Sequence, residues 1–354
     1  METIALDLMG GDQPAEVIAD GAFEASRQYG VRVALVGPRG ILDRQVLRAS
    51  RNGATVIPVD ASQVVAMNES PADAWRGKKD SSIAVGIGLL RDGKADAFVS
   101  AGNTGAIVAA AMFSLKAMEN IDRPAIATLF TTASGDIALV LDIGANLECR
   151  PVHLAQFGQL GSDFMSTVFK MERPRVAIVS VGEEENKGTR RVKEAHQLLK
   201  SSDLNFVGNV EGFDVPRGVA DVIVTDGFTG NVMLKLAESL TESFFTALKG
   251  ELTSSLLART TKIFWGPSVK SVAKKWDYSD DGGAPLLGVN GNIIMAHGRS
   301  DARDIKNAIG LAKRMAHEGW WRGPAAQEDE KSREHPRASK SAGLAIDPNP
   351  IRET

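Results

Sequence analysis

The sequence predicts an α/β fold in which a mostly parallel β-sheet carries helices on both faces. Its apolar runs are nearly continuous instead of alternating, which is typical of strands that are covered on both sides. At least five of these runs stop at a glycine-bearing polar turn before a helical pattern follows. In ADVIVTDGFTGN, residues 220–231, the run ends before Asp226, and the helical pattern is expected to resume just after Gly230 and Asn231.

Four strands are predicted in the first half of the chain, at residues 4–8, 31–36, 55–59 and 95–99. The first ends at Gly10, Gly11 and Asp12. The fourth is followed by SAGNTG at 100–105 and by a helix of small residues that begins near Ala106. Residues 97–115 carry no charge, but the polar and glycine positions of SAGNTG would interrupt a membrane-spanning helix. We therefore interpret this stretch as a buried strand, a loop and a buried helix.

Four more strands are predicted in the second half, at residues 137–141, 175–181, 205–207 and 222–224. A final amphipathic helix is predicted over residues 301–315, with one apolar side made of Ile305, Ile309, Ala312 and Met315. In parallel sheets, ligands bind outside the carboxyl ends of the strands. We therefore expect the polar turns to converge on one cleft; these turns are residues 10–12, 100–105, 144–146, 182–188 and 226–231.

Composition indicates an ordinary globular protein. The chain has 354 residues, 24% of them charged, and a formal net charge of −3, which gives no general field for nucleic acid. Cys149 is the only cysteine, so no internal disulfide is possible and a reducing compartment is expected. Asp7 and Asp12 stand where a signal peptide needs an apolar region, which makes secretion an unfavourable interpretation.

Several polar residues in the turns are candidates for chemistry. Lys187 lies in a polar loop bounded by glycines, where a lysine can meet phosphate or a developing oxyanion; the alternative is a solvated lysine balanced by neighbouring glutamates. Asn103, Thr104 and Asn231 suit either helix capping or the orientation of a substrate carbonyl. His297 precedes the last helix and is either an acid/base group or anion donor, or a structural turn residue. His196 shows no pairing pattern.

Carboxylates also cluster in the predicted turns, at Asp7, Asp12, Asp142, Glu183 and Asp226. They suit a divalent cation, the capping of helices or the positioning of the lysine, and we expect no required metal because no His or Cys stands at metal-ligand spacing. The sequence has no G-x-S-x-G elbow, no HExxH, no P-loop and no G-x-G-x-x-G after its first strand. A covalent acyl-enzyme and a nicotinamide cofactor are thus both unsupported.

A basic segment stands apart from the predicted sheet. Residues 252–276 contain five lysines and arginines and no acidic residue, and Gly266-Pro267 would break a helix there. We interpret residues of about 250–276 as an inserted basic amphipathic hairpin, which suits an anionic membrane surface, an acidic protein or a dimer interface. Its contact residues are predicted to be Leu256, Leu257, Ile263, Phe264 and Trp265. Residues 1–320 form one predicted domain, and 325–354 a polar, disordered tail.

Ten motifs resemble, in order, those of the acyl-ACP:phosphate acyltransferases of bacterial phospholipid synthesis, the PlsX family. The resemblance covers roughly residues 3–316. It is carried by ALDLMGGD (5–12), KKDSS (78–82), SAGNTGA (100–106), DRPA (122–125), DIGAN (142–146), GEEENKG (182–188), NVEG (209–212), DGFTGN (226–231), GGAPLLG (282–288) and AHG (296–298). Two departures are Asn68, where an acidic residue is expected, and Asn186, where the family commonly has glycine.

The resemblance implies a cytoplasmic, homodimeric enzyme, peripherally attached to the inner face of the cell membrane, that needs no cofactor. It would transfer a long-chain acyl group from acyl carrier protein to inorganic phosphate. The implied fold is similar to those of isocitrate-type dehydrogenases and phosphotransacetylases. The implied catalytic residues are Lys187 and Asn231, and the implied phosphate or substrate contacts are Gly10, Gly11, Asp12, Asn103, Thr104, Gly105, Asn146, Gly188 and His297.

The implied reaction asks for little covalent chemistry, because phosphate is already a nucleophile and a thioester is already activated. The protein has to hold a polyanion beside a carbonyl and stabilise the oxyanion. An acidic carrier protein also calls for a basic patch near the cleft, for which Arg76, Lys78, Lys79 and the basic segment are candidates. Two alternatives remain: a nicotinamide-dependent dehydrogenase on the related fold, and a membrane-attached scaffold that binds acyl carrier protein without turnover.

Overall fold

The computed structural model describes residues 1–253 and 282–322. Within these ranges, eleven strands form one sheet in the order β3-β2-β1-β4-β11-β10-β5-β6-β9-β7-β8. The strands are β1 (Thr3–Asp7), β2 (Arg32–Gly37), β3 (Val56–Asp60), β4 (Ala97–Ser100), β5 (Ala125–Thr131), β6 (Ile137–Leu141), β7 (Arg175–Val179), β8 (Asn205–Val210), β9 (Val222–Val224), β10 (Ala284–Leu287) and β11 (Ile293–Met295).

Helices cover both faces of this sheet. They are α1 (Ala15–Tyr29), α2 (Arg39–Asn52), α3 (Pro71–Gly77), α4 (Ser82–Arg91), α5 (Thr104–Leu115), α6 (Pro151–Phe169), α7 (Arg190–Lys200), α8 (Gly227–Thr253) and α9 (Ala302–Glu318), with a 3₁₀ turn at Val215–Arg217. Successive strand residues feed two separate apolar cores: Ile4 and Leu6 belong to one, and Ala5 between them to the other. The predicted fold class is confirmed.

The sheet contains two sets of parallel strands that run in opposite directions. One set comprises β1 to β4 with β11, and the other comprises β6 to β9. The pairs β11–β10, β10–β5 and β5–β6 between the two sets are antiparallel. Because the two sets run in opposite directions, the glycine turns of the two halves leave the sheet in opposite directions. In a sheet whose strands all run one way, the turns would lie along one common edge.

The register nevertheless brings the carboxyl ends of the two sets together. Ser100, which ends β4, pairs with Met295, and Met295 pairs with Ala284 at the start of β10. Two residues further along β10, Leu286 pairs with Ile126, whose neighbour Ala127 pairs with Leu141 at the end of β6. The strands of the two halves thus overlap mainly at their carboxyl ends, and the loops after β4 and β6 meet at the junction.

The last predicted helix is confirmed as α9, whose residues Ile305, Ile309, Ala312 and Met315 are all fully buried. This helix packs against α1 at Gly21, where an added Cβ would lie 2.5 Å from the carbonyl oxygen of Ala302. Across the described part of the chain, no helix combines the length and the apolar character that crossing a membrane would need.

The predicted start of the long helix α8 is wrong. The helix begins at Gly227, so Gly230 and Asn231 lie inside it. Asp226 provides the cap, because its Oδ1 accepts a hydrogen bond of 2.9 Å from the N–H of Thr229. Gly230 does not interrupt the helix; its lack of a side chain lets the helix pack on Asp142, whose carbonyl oxygen would lie 2.1 Å from an added Cβ.

Candidate active site

A cavity of about 790 Å³ lies where the two halves of the sheet meet. Helix α5 supplies Thr104, Val108 and Met112 from one half, and helix α8 supplies Asn231 and Leu234 from the other. Strand β5, the loop after β6 and the segment after β11 contribute much of the remaining wall. A cavity of this size between two halves of a fold is a typical small-molecule site.

Only part of the predicted site lines this cavity. The residues that do so are Asp12, Thr104, Gly105, Asn231 and His297. Six other predicted site residues do not form its wall, namely Gly10, Gly11, Asn103, Asn146, Lys187 and Gly188. Their hydrogen bonds show what most of them do instead.

Asp7 anchors the loop behind the first wall. Its carboxylate is buried and accepts hydrogen bonds from the Ser100 hydroxyl at 2.8 Å and from the Met9 N–H at 3.0 Å. The same hydroxyl accepts from the N–H of Gly102 at 3.0 Å. Burial raises the pKa of Asp7, and hydrogen bonds from serine hydroxyls and backbone amides oppose that rise. Gly10 belongs to this packing, since its Cβ would lie 2.7 Å from the Gly102 nitrogen.

The turns after β1 and β11 are joined to each other. The N–H of Asp12 donates a hydrogen bond of 2.7 Å to the carbonyl oxygen of Gly298. Gly11 has φ +90° and an added Cβ would lie 2.7 Å from the same oxygen, so only glycine fits. The Nδ1 of His297 accepts a hydrogen bond of 3.2 Å from the N–H of Arg299. A neutral His297 therefore carries its proton on Nε2 and is a hydrogen-bond donor in the cavity wall.

Asn103 fixes the start of helix α5. Its Oδ1 accepts from the N–H of Ala106 at 3.0 Å, which is a helix cap. Its Nδ2 lies within hydrogen-bonding distance of the carbonyl oxygens of Ala66, Met67 and Glu69, at 3.2, 3.0 and 3.0 Å. The side chain of Asn103 thus ties the loop before α3 to the start of α5 and supports the neighbouring Thr104.

Asp142 performs the corresponding task in the other half, and it is fully buried. One carboxylate oxygen accepts from the N–H groups of Ile126, Gly144 and Ala145 at 3.1, 3.1 and 2.9 Å. The other accepts from the N–H and the Nδ2 of Asn146 at 2.6 and 2.9 Å. Burial raises the pKa of Asp142, and these hydrogen bonds oppose the rise.

This loop positions Asn231. The Nδ2 of Asn231 donates a hydrogen bond of 3.1 Å to the carbonyl oxygen of Ile143. The start of the same helix is fixed because the N–H of Gly227 donates to the carbonyl oxygen of Asn146 at 2.8 Å. Of the two roles considered for Asn231, helix capping is excluded because the residue lies inside α8, while its amide lies in the cavity wall with one N–H already engaged.

Lys187 is exposed, in the loop that follows β7. Its N–H donates to the carbonyl oxygen of Glu184 at 2.9 Å. Strand β7 is the direct neighbour of β9, which leads into α8. Adjacent strands lie about 4.8 Å apart, so the Lys187 loop and the start of α8 are neighbours at the same end of the sheet.

The residues that support this loop were not predicted from the sequence. The Nδ2 of Asn209 donates to the carbonyl oxygen of Glu184 at 2.8 Å, and its Oδ1 accepts from the Nδ1 of buried His196 at 2.8 Å. The amide oxygen can only accept, so Nδ1 of His196 carries the proton. The ring of His196 also packs edge-on against Phe206, 4.9 Å between centroids. No local pattern links these residues, since Glu184 lies in the loop after β7, His196 on α7, and Phe206 and Asn209 on β8.

Cys149 is buried, and burial together with the charge of Asp142 raises the pKa of its thiol to about 11. A thiol with so high a pKa is a poor nucleophile at neutral pH. In the part of the chain that the structure describes, no three His, Cys, Asp or Glu side chains group closely enough to hold a metal ion.

Three comparisons place the chain among known proteins. The family described as fatty acid synthesis protein matches residues 2–322. The phosphate acyltransferase of Syntrophotalea carbinolica is 46% identical over 310 residues, which cover 88% of this chain and 89% of that one. The phosphate acyltransferase of Alkaliphilus oremlandii is 43% identical over 309 residues, covering 87% and 92%.

The fold has solved counterparts at low sequence identity. A phosphotransacetylase from Streptococcus pyogenes superposes with a TM-score of 0.63 at 16% identity, covering 90% of this chain and 94% of that one. The EutD phosphotransacetylase from Staphylococcus aureus superposes with a TM-score of 0.59, also at 16% identity, covering 89% and 94%. The predicted likeness of the fold to phosphotransacetylases is confirmed.

Proposed function

The chain belongs to the fatty acid synthesis protein family, whose curated relatives are named phosphate acyltransferases, and we propose that it moves a long-chain fatty acyl group from acyl carrier protein to inorganic phosphate. The products are acyl phosphate, for phospholipid synthesis, and the free carrier thiol. One observation carries the proposal: a single cavity combines the polar start of α5 with an apolar wall further along the same helix.

The polar start of α5 is suited to phosphate. The first N–H groups of a helix have no partner within the helix and carry the positive end of its dipole. The N–H of Ala106 is occupied by Asn103, whereas Thr104 and Gly105 line the cavity. In the proposed complex, these two residues donate to phosphate oxygens, and Asp12 and His297 border the same space.

The transfer itself forms one bond and breaks one. A phosphate oxygen attacks the thioester carbonyl carbon, the C–O bond forms, and the C–S bond then breaks. The electron pair leaves with the carrier sulfur, which takes up a proton. We assign Asn231 to the carbonyl oxygen, since its amide lies in the wall. Lys187 neutralises the phosphate or the developing oxyanion from the neighbouring loop.

The test is the release of carrier thiol from palmitoyl acyl carrier protein, with and without inorganic phosphate. We expect thiol release that depends on phosphate and an equal amount of acyl phosphate, trapped as the hydroxamate. Thiol release without phosphate dependence would contradict the proposed acceptor. Binding of the carrier with no release would favour the scaffold, and an absorbance change with a nicotinamide cofactor would favour the dehydrogenase.

The carrier protein is acidic, and basic side chains lie on and just after α3, the helix that packs against α5. Arg76 is exposed, and the Nζ of Lys79 lies 3.5 Å above the ring of Trp75. Lys78 differs from these two, because it is engaged with Glu69 at 2.5 Å. We propose that Arg76 and Lys79 help to dock the carrier by charge complementarity.

We also propose that the enzyme is a cytoplasmic homodimer. Helix α8 carries a stripe of large apolar side chains at four-residue spacing, each more than half exposed: Phe228, Val232, Leu236, Leu240 and Phe244. Successive members of this stripe are neighbours on the helix surface, about one turn apart, and exposed apolar patches of this kind typically mark protein interfaces. A self-complementary helix face is suited to a symmetric dimer.

Peripheral attachment to an anionic membrane is the third part of the proposal. It depends on the basic segment with Leu256, Leu257, Ile263, Phe264 and Trp265, which lies outside the described residues. We expect Leu257→Glu combined with Phe264→Glu to abolish sedimentation with anionic liposomes, because the added charges oppose burial of apolar side chains in lipid. Activity on the soluble palmitoyl carrier should persist.

A matched control adds the same charge elsewhere. Leu47 and Leu198 are exposed leucines on α2 and α7, so Leu47→Glu with Leu198→Glu changes the net charge equally. This control should sediment with liposomes as the wild type does. If the variant of the basic segment also sediments unchanged, the segment is not the membrane contact.

A further inference from the structure

Three cavity residues stand at regular intervals along α5. Thr104, Val108 and Met112 all line the cavity, and their four-residue spacing places them on one face of the helix. With a rise of about 1.5 Å per residue, Val108 lies about 6 Å and Met112 about 12 Å beyond Thr104. The face therefore leads away from the proposed phosphate site in steps of about one helical turn.

The character of this face changes along its length. It begins with the hydroxyl of Thr104 and continues with two apolar side chains that are only half-buried. Another side of α5 is packed in the protein core, as the buried Ile107 and Ala111 show. Val108 and Met112 thus present apolar surface to an open cavity, which is an arrangement typical of a site for an apolar ligand.

The opposite wall, on α8, starts in the same order. The polar Asn231 is followed one turn later by Leu234, and beyond them the charged Lys235 and Glu238 also line the cavity. Ile126 of β5 adds apolar surface between the two helices. An apolar path therefore begins at the residues assigned to the carbonyl and the phosphate, and it continues along α5.

We propose that this path holds the acyl chain of the donor and that the α5 face measures its length, with Val108 contacting the part nearest the thioester and Met112 the more distant part. The proposal rests on the proposed function and adds to it a determinant of chain length. Methionine at the far position is unbranched and flexible, so it can adapt to chains that end near it. A larger, stiffer side chain there removes that room.

The test compares two donors, the palmitoyl and octanoyl thioesters of acyl carrier protein, in each variant. We expect Met112→Trp to lower kcat/KM for the palmitoyl donor by about tenfold or more relative to the octanoyl donor, since losing space for a few methylenes has an effect of this size. Val108→Phe blocks the path closer to the thioester and should lower kcat/KM for both donors. Met112→Ala should shift preference toward the longer donor.

The neighbouring Phe113 provides the matched control. It is exposed, does not line the cavity and stacks on Trp75 with 5.5 Å between ring centroids. Phe113→Leu should leave the ratio of the two donors at its wild-type value. Because the ratio is measured within one preparation, it does not depend on how much of a variant is folded.

Two different failures can be told apart. If the wild type transfers neither acyl group to phosphate, the proposed function is wrong. If the wild type is active but Met112→Trp and Met112→Ala both leave the donor ratio unchanged, the acyl chain does not pass Met112 and this inference is overturned. A shift of the ratio by Phe113→Leu as large as that by Met112→Trp would overturn it as well.

Discussion

Replacing Lys187 by alanine is expected to lower kcat by about two to three decades, because loss of one oxyanion donor costs about 2.7–4 kcal/mol of transition-state stabilisation. Lys187 is exposed, so its loss should leave the fold intact. The measurement is steady-state release of carrier thiol from palmitoyl acyl carrier protein at saturating phosphate, with circular dichroism to verify folding.

Lys193 supplies the control. It is an exposed lysine on the adjoining helix α7, and Lys193→Ala removes the same charge from the same region of the surface. We expect that variant to keep its kcat within about twofold, as surface substitutions usually do. A Lys187→Ala enzyme that works at a near-normal rate would show that Lys187 is a solvated loop residue and would remove it from the mechanism.

Strands followed by a polar turn could be predicted from the sequence. The strands at Ile137–Leu141 and Val222–Val224 have the predicted bounds, and most others differ by one or two residues at either end. The three central strands β5, β10 and β11 were not predicted. Of these, β10 and β11 have only four and three residues, and β10 contains Pro285, which argues against a strand.

The change of strand direction between the two halves of the sheet was also not predicted from the sequence. It depends on pairs such as Ile126 with Leu286, which are far apart along the chain. Local patterns carry no information about which distant segment a strand will join. The convergence of the turns was therefore expected from a sheet of one direction. In the structure, the loops after β4 and β6 meet through the register of two opposed sets, and the turn at residues 182–188 does not line the cavity.

Polar residues in the turns were predicted to be site residues because of their residue types. The structure shows that only some of them line the cavity, while others hold loops together. Thr104, Asn231 and His297 line the cavity, whereas Asn103 and Asn146 direct their amides to backbone carbonyls. An asparagine after a strand suits either role, since its amide has two donors and one acceptor oxygen. The position of the neighbouring loops decides between the two roles. That position depends on tertiary contacts, which the residues next to the asparagine do not reveal.

The largest expected loss of stability comes from Asp142→Ala. Four backbone N–H groups and the Nδ2 of Asn146 donate to this one buried carboxylate, and alanine would leave them without an acceptor. Each buried unsatisfied donor costs about 1–3 kcal/mol, although relaxation and water entry recover part of the sum. We therefore expect the free energy of unfolding, measured by urea titration, to fall by about 3–5 kcal/mol.

Asp226 is the matched control for this loss. It is a half-buried aspartate in the loop after β9, the strand beside β6. Its carboxylate accepts hydrogen bonds from the N–H and the hydroxyl of Thr229 at 2.9 and 3.1 Å. Asp226→Ala removes an ordinary helix cap and should cost about 1 kcal/mol. Equal urea midpoints for the two variants would mean that the five hydrogen bonds of Asp142 contribute no more than a surface cap.

A milder substitution at the same position, Asp142→Asn, tests the link between the buried loop and the chemistry. Asn231 reaches the cavity through its hydrogen bond to Ile143, which directly follows Asp142. Under conditions where Asp142→Asn remains folded, we expect kcat to fall, because the loop that orients the Asn231 amide loses part of its anchor. Full kcat in folded Asp142→Asn would show that the carboxylate stabilises the junction of the two halves without orienting Asn231.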